Sequence, residues 1–377
     1  MLTVLVSDIG ILIGTRPEAI KLAPLVHALS QRDGQPHVLV TGQHRELLDP
    51  ILRDLEVVPS ENLGLMQPGQ TLAGISAAVL GGVTDSLRDR SFRWLVVQGD
   101  TTSAAMAALA AFYENIPVAH VEAGLRTHDR RNPFPEEINR RMIGSLATLH
   151  CAPTWAAREN LLREGVDKQT IDVVGNTIVD ALHHATRRWV PKLEPNPLLA
   201  ELRADGRALV IVTCHRRESI GDDMAAICRG VRQLAEQFAT ELQVLFPVHL
   251  NPGVQQLVHE VLANVPNIHL VEPLGYLRFV EALQVAKLVI TDSGGVQEEA
   301  ATLGIPLLVV RRTCERMEAV SAGVSQLVGP EEDALVEAAN QLLTDEDTYR
   351  RFARPTQAFG DGKAAERIAE RLLESAP

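Results

Sequence analysis

Short runs of β-branched and other apolar residues recur along this chain, each closed by glycine or a polar residue and followed by a helical period. Ile9–Ile13 runs into Gly14, Thr15 and Arg16, and Pro17 then opens a helix that reaches Leu29. Proline suits a first helical turn, where its missing N–H has no partner to lose. Val38–Val40 leads into Thr41, Gly42 and Gln43, and Trp94–Val97 into Gly99, Asp100 and an alanine-rich helix ending near Tyr113. Val118–Val121 leads into Glu122 and Gly124. The pattern then restarts at Ala208–Thr213, Leu242–Phe246 and Leu288–Thr291. Strands alternating with helices predict an α/β fold with parallel sheets covered on both faces.

The segment Pro191–Asp205 carries three prolines and interrupts the alternation, so it reads as a linker. The expected architecture is two Rossmann-like domains facing a central cleft, where a ligand binds. Residues 1–190 form the first domain, 191–206 the linker and 207–360 the second domain. Residues 361–377 form a helix returning to the first. With 377 residues and 46% of them hydrophobic, the chain has apolar material for two cores. Only 4% are aromatic, so leucine, valine, isoleucine and alanine must build them.

A net charge of −12 and no basic run interleaved with aromatics exclude a nucleic-acid binder as the first expectation. Cys151, Cys214, Cys228 and Cys314 form no C-x-x-C pair, and neither a zinc site nor a disulfide framework is suggested. No basic segment precedes an apolar one at the N-terminus, and no apolar window reaches membrane-spanning length. The expected location is the cytoplasm. A Walker loop and a G-x-G-x-x-G fingerprint are both missing, so no dinucleotide is called for.

In an open parallel sheet, ligands bind beyond the carboxyl ends of the strands. Arg16, Gln43, Asp100, Glu122, His215, His249 and Ser293 all stand just after a predicted strand. In Asp292-Ser293-Gly294-Gly295, a strand feeds a small turn and a helix start, where bare N–H groups and glycine admit a phosphate. Such turns are also common without a ligand. Glu298 and Glu299 would repel a diphosphate aimed at them, whereas a carboxylate one turn in accepts from ribose hydroxyls. Arg16 suits a bidentate grip on phosphate, and Lys21 is either a point charge for one or a solvated helix residue. Asp100, Glu122 and Glu136 come from three neighbouring segments. Carboxylates gathered together push each other's pKa apart and divide acid and base roles. Glu137 reads as a first-turn residue complementing a helix dipole, and spacing leaves Glu136 open to either role. His215, flanked by Arg216, suits an anion or an acid near a leaving phosphate, and His249 occupies a comparable place. No H-x-x-x-H pair supports a metal.

Several long motifs occur together: GTRPEAIKLAPLVHAL, TGQHRELLD, MQPGQ, QGDTTS, AFYENIPVAHVEAGLRT, PEEINR, GNTIVDAL, HRRES, PVHLNP, TDSGGVQEEA and FGDGKAAERI. In that order they resemble the non-hydrolysing UDP-N-acetylglucosamine 2-epimerases of bacteria, over nearly the whole chain. The resemblance implies a glycosyltransferase-B-like fold, a homodimer and a role in cell-surface polysaccharide biosynthesis. It also implies an isomerase without metal or redox cofactor, which eliminates UDP to give a 2-acetamidoglucal and re-adds it to form UDP-N-acetylmannosamine. By the same resemblance Asp100, Glu122, Glu136 and His215 are catalytic. Arg16, Lys21, Ser293, Gly294, Gly295 and Glu299 hold the UDP-sugar substrate. Gln43, Gln70, Arg216 and His249 fall in segments that bind a second UDP-N-acetylglucosamine as allosteric activator.

The chain departs from the family pattern at its longer N-terminus and at Cys214, Arg312, Cys314 and Met317. Three other readings stand beside this one. They are a related epimerase acting on a UDP-diacetamido-uronic acid, a glycosyltransferase on the same scaffold, and a nucleotide-sugar sensor without activity.

Overall fold

A computed structural model describes residues 9–374, apart from 33, 35, 43, 44, 68, 89, 215–220 and 313–315. The chain divides into two compact units, one of Met1–His184 with Gly360–Pro377, the other of Ala185–Phe359.

The first unit is built on strands β1 (Ile9–Ile13), β2 (His37–Val40), β3 (Glu61–Asn62), β4 (Trp94–Gln98), β5 (Val118–Val121), β6 (Leu149–Ala152) and β7 (Ile171–Val173). They lie in the order β3-β2-β1-β4-β5-β6-β7, every pair parallel. β1, β4 and β5 are buried along their whole length, which is why they read as unbroken apolar runs. The strand order reverses between β1 and β4, so the loops leaving these two strands diverge and open a crevice at their carboxyl ends. The helix Thr102–Tyr113 lines one side. Its alanines Ala104, Ala105, Ala107, Ala108, Ala110 and Ala111 are fully buried, and their small size brings the backbone close to its neighbours. Thr101 starts that helix by accepting from the Ala104 N–H at 3.0 Å.

The second unit repeats the plan with β8 (Ala208–Thr213), β9 (Leu242–Pro247), β10 (Ile268–Val271), β11 (Ala286–Thr291), β12 (Leu307–Val309) and β13 (Ser325–Leu327). Their order is β10-β9-β8-β11-β12-β13, again parallel, with the reversal between β8 and β11. Side chains alternate across the sheet. Val210, Val212, Val244 and Phe246 enter one core, while Leu209, Ile211, Leu245 and Val289 enter the other.

The linker expected at 191–206 is not one. The boundary falls at His184, and Pro197–Asp205 is a helix whose Leu199 and Leu202 are buried in the second unit beside Leu209 and Ile211. Pro197 initiates this helix at its first turn instead of breaking one, and Asn196 caps it by accepting from the Leu199 N–H at 3.0 Å. Among the described residues no helix is long and apolar enough to cross a membrane.

The terminal helix Ala364–Glu374 packs on Arg16–Ser30 and Thr177–His184 of the first unit, burying Ile368 and Leu372 completely. Its start is held by Asp180, which accepts from the N–H groups of Ala365 at 2.9 Å and Ala364 at 3.3 Å. Burial raises the Asp180 pKa to about 6, against the lowering effect of these N–H groups. A raised folded-state pKa means that the native protein holds a proton the unfolded chain has released. Stability from this group is therefore present below pH 4 and is lost as pH rises to about 6. Asp180→Asn, which keeps an acceptor for the helix start, should remove that dependence. In denaturant titrations from pH 4 to pH 7, the wild type should lose roughly 2–3 kcal/mol relative to the variant. Parallel stability curves for the two proteins would refute this account of Asp180.

Candidate functional site

Polar side chains of the first unit collect where β1, β4, β5 and β7 end. Glu122 follows β5 directly and takes a left-handed backbone, φ 66°. For a residue with a Cβ that conformation is costly, and it persists only where surrounding contacts impose it. Here the contacts are donors. Lys21, one turn into the helix Arg16–Ser30, places Nζ 2.5 Å from Glu122 Oε1. Asn176, in the loop after β7, donates to the same oxygen at 3.2 Å, and Gln98, the last residue of β4, donates to Oε2. Glu122 is 9% exposed, Gln98 3% and Asn176 2%, so the group lies below the surface at the carboxyl edge of the sheet.

Asp100 lies two residues beyond Gln98, across Gly99. Its Oδ2 meets the Arg140 guanidinium through Nε at 2.8 Å and Nη2 at 2.7 Å, a paired geometry that fixes the carboxylate's direction. Arg140 also reaches Glu137, which is wholly buried and accepts from the N–H groups of Thr127 at 3.1 Å and His128 at 3.2 Å. Glu137 is thus more than a dipole residue, because it folds the 125–137 loop onto its helix. Glu136 opens that helix, Glu136–Leu146, and is partly exposed. Among the described residues its carboxylate has no hydrogen bond or ion pair.

Two further buried groups brace these loops. Glu18 accepts from the Gly14 N–H at 2.8 Å and the Thr101 hydroxyl at 2.7 Å, tying the loop after β1 to the loop after β4. Burial raises its pKa, and these bonds oppose the rise. Gly14 must be glycine there, since an added Cβ would stand 2.9 Å from the Ser103 Cβ. His120 of β5 donates Nε2–H to the Gly99 carbonyl at 2.7 Å. Burial lowers its pKa to about 3, so the ring is neutral, and the carbonyl, which can only accept, requires the Nε2–H tautomer.

In the second unit the helix Gly294–Leu303 begins at Ser293, whose side chain makes no cap bond, so the first-turn N–H groups keep their donor capacity. The approach to it is rigid. Thr213 and Thr291 hydroxyls lie 2.5 Å apart, and Thr291 accepts from the Ser293 N–H at 2.9 Å. A Cβ at Gly294 would stand 2.7 Å from Arg316 Cζ, so a side chain there would displace the Arg316 guanidinium. A Cβ at Gly295 would meet nothing within 4 Å, which leaves that side of the helix mouth open to a ligand. Arg316 pairs with buried Glu298 at 3.0 Å, so one of the two carboxylates suspected of repelling a diphosphate is neutralised. Glu299 is buried next to Tyr276; burial, followed by the Glu299 charge, raises the phenol pKa.

The structure thus brings Lys21 to Glu122, whereas from the sequence it was either a phosphate ligand or a solvated residue. Arg16 is exposed at the start of its helix. Gln70 spends its side chain on its own loop, accepting from the Gln67 N–H at 2.9 Å and donating to the Leu65 carbonyl at 3.2 Å. His249 is exposed and accepts from the Asn251 N–H at 3.1 Å. Gln43, His215 and Arg216 lie outside the described residues. Among the described residues no group of three or more histidine, cysteine, aspartate or glutamate side chains is arranged to hold a metal. Sequence reasoning missed Gln98, Asn176, Glu18, His120, Arg140 and Arg316. For Gln98 the signal was present, a polar residue ending an apolar strand immediately before glycine.

The chain is 47% identical over 365 residues to the UDP-N-acetylglucosamine 2-epimerase of Yersinia pestis, covering 95% of this chain and 96% of that protein. It is 45% identical over 368 residues to the Escherichia coli K12 enzyme of the same name, covering 95% and 96%. The crystal structure of UDP-GlcNAc 2-epimerase from Neisseria meningitidis bound to UDP-GlcNAc superposes with a TM-score of 0.90 at 38% identity, over 97% of this chain and 100% of that one. The two α/β units therefore make the glycosyltransferase-B-like fold of these enzymes. With the UDP-N-acetylglucosamine 2-epimerase family model also matching residues 27–373, the chain belongs to that family.

Proposed function

We propose that this enzyme interconverts UDP-N-acetylglucosamine and UDP-N-acetylmannosamine by eliminating and re-adding UDP. The observation that carries the reading is the meeting of Glu122 with Asp100 and Glu136 segments at one sheet edge, in a chain of this family. In the first half-reaction a carboxylate takes the C2 proton, the C1–O bond to the β-phosphate breaks, and its electron pair leaves with UDP. The C–H electrons become the C1=C2 bond of 2-acetamidoglucal. In the second half-reaction C2 receives a proton from the opposite face, and the UDP oxygen bonds C1 again. Inversion at C2 follows, with no net oxidation.

The donors around Glu122 favour its ionised form, the state a proton acceptor must start from. Asp100, aimed by Arg140, and Glu136, without a donor among the described residues, suit delivery and stabilisation on the other side. In this reading the Ser293–Gly295 turn and Glu299 bind the UDP of the substrate, and Arg16 and His215 are further residues that take part. The same reading takes the protein as a cytoplasmic homodimer, with Gln43, Gln70, Arg216 and His249 at an activator site.

Glu122→Gln keeps the size of the side chain and removes the acid. Turnover should fall by about 10²–10⁴. The affinity for UDP, read by calorimetry, should change by less than about tenfold. Deuterium entry at C2 of UDP-N-acetylglucosamine in deuterium oxide, followed by NMR, should fall in step with epimerisation. A variant that lost UDP binding but exchanged deuterium at the wild-type rate would make Glu122 a ligand anchor and sink the assignment. Prolonged dialysis against EDTA should leave turnover unchanged; activity lost and then restored by a divalent ion would rule out a metal-free elimination.

A further inference from the structure

Resting on the reading of Glu122 as the proton acceptor, we infer that Gln98 and Asn176 are positioning residues that hold Glu122 ionised and aimed. The inference starts from bond accounting. Oε1 of Glu122 accepts from Lys21 and from Asn176 Nδ2, and Oε2 accepts from Gln98 Nε2. Which end of the Asn176 amide faces Glu122 is decided by the rest of the network. Asn176 Oδ1 accepts from the Ile178 N–H at 3.1 Å, capping the helix Thr177–His184, and the NH₂ end is thereby turned to the carboxylate. Donors aimed at both oxygens favour the ionised form, the state in which Glu122 can take a proton from carbon.

The neighbouring described groups have roles separate from these amides. Lys21, from the first helix, pairs with Glu122 at Oε1. His120, on the same strand, is neutral and committed to the Gly99 carbonyl. Asp100 lies beyond Gly99 and is neutralised by Arg140. Gly99, at φ 69°, has no side chain, and even an added Cβ would stand 3.7 Å from Oε2. Aim matters as much as charge. Glu122 leaves its strand in a left-handed conformation, and its two oxygens are fixed by Gln98 at the end of β4 and Asn176 in the loop after β7. Proton abstraction from carbon is sensitive to misplacement on the ångström scale.

Asn176→Asp separates this role from folding, because aspartate still caps the Ile178 N–H while turning an acceptor toward Glu122. The kcat for UDP-N-acetylglucosamine should fall at least about tenfold, with KM changed by less than about threefold. The acid limb of the kcat/KM profile should move to higher pH by about one unit, because the ionised acceptor has lost a donor and gained a like charge. Gln98→Leu should shift the same limb in the same direction, and it decides the matter if Asn176→Asp shows no cooperative melting. Wild-type kcat and an unmoved acid limb in a folded amide variant would overturn the inference. Glu122→Gln measured alongside keeps the two ideas apart. If it retains wild-type turnover, the acceptor reading itself fails. If it is inactive while the amide variants keep the wild-type profile, only the positioning role fails.

Discussion

A carboxylate buried at the end of a parallel strand must find donors, and in this protein Lys21, Gln98 and Asn176 supply them from three other segments. A buried charge without partners would cost several kcal/mol. Glu122 meets that demand with residues 101, 24 and 54 positions away, Lys21, Gln98 and Asn176. The ends of β1, β4, β5 and β7 are thereby tied to one point, and the left-handed backbone at Glu122 is the local cost of pointing the carboxylate inward. Asp100, Arg140 and Glu137 extend the same logic into the next helix, and Glu18 extends it to the loop after β1. These contacts are strong only because water is largely excluded, and they would be destabilising if half made.

Burial sorts the polar groups by charge state. His120 and His150, register partners on β5 and β6, are pushed down to about 3 and about 4 by desolvation, so they are neutral at any working pH. They act as struts. Lys21 with Glu122 and Arg140 with Asp100, in contrast, are set beside a partner of opposite sign. In the second unit Arg316 and Glu298 form such a pair beside the start of Gly294–Leu303. Because the pair is neutral overall, the partial positive charge of that helix start is left for an anion.

What the sequence made legible was whatever is local. Strand runs, glycine turns and helix starts are set by a few neighbouring residues, and so the alternation from Ile9 to Thr291 translated directly into two parallel sheets. Loop residues placed after strands, such as Asp100, Glu122 and Ser293, followed from the same geometry. Partnerships were not legible, because they depend on which distant loops converge. Nothing in the spacing of Lys21 or Asn176 points to Glu122, and nothing around Glu137 announces that it grips the Thr127 and His128 N–H groups. Pro197 misled for a different reason. Proline reads as a breaker, yet at a first helical turn it starts a helix, and the buried Leu199 and Leu202 then belong to the second core.

The departures from the family pattern test how far the second unit depends on side-chain identity around the Ser293–Gly295 turn. Cys214 follows β8, fully buried, and burial together with the Asp292 charge pushes its thiol pKa well up, so it behaves as a small apolar filler. Arg312 points outward and pairs with Asp223 at 2.8 Å and Glu331 at 3.4 Å, an exposed arrangement of little energetic weight. Met317, 46% exposed, opens the short helix Met317–Ser321, while its neighbour Arg316 keeps the contact with Glu298. None of these three changes touches the means by which the turn presents itself. Backbone N–H groups at Gly294 and Gly295, not capped by the Ser293 side chain, and open space where a Cβ at Gly295 would stand are features of the main chain. In the proposed reading, where this turn binds an anion through main-chain donors, it tolerates substitutions beside it, provided the strands that carry the turn stay paired.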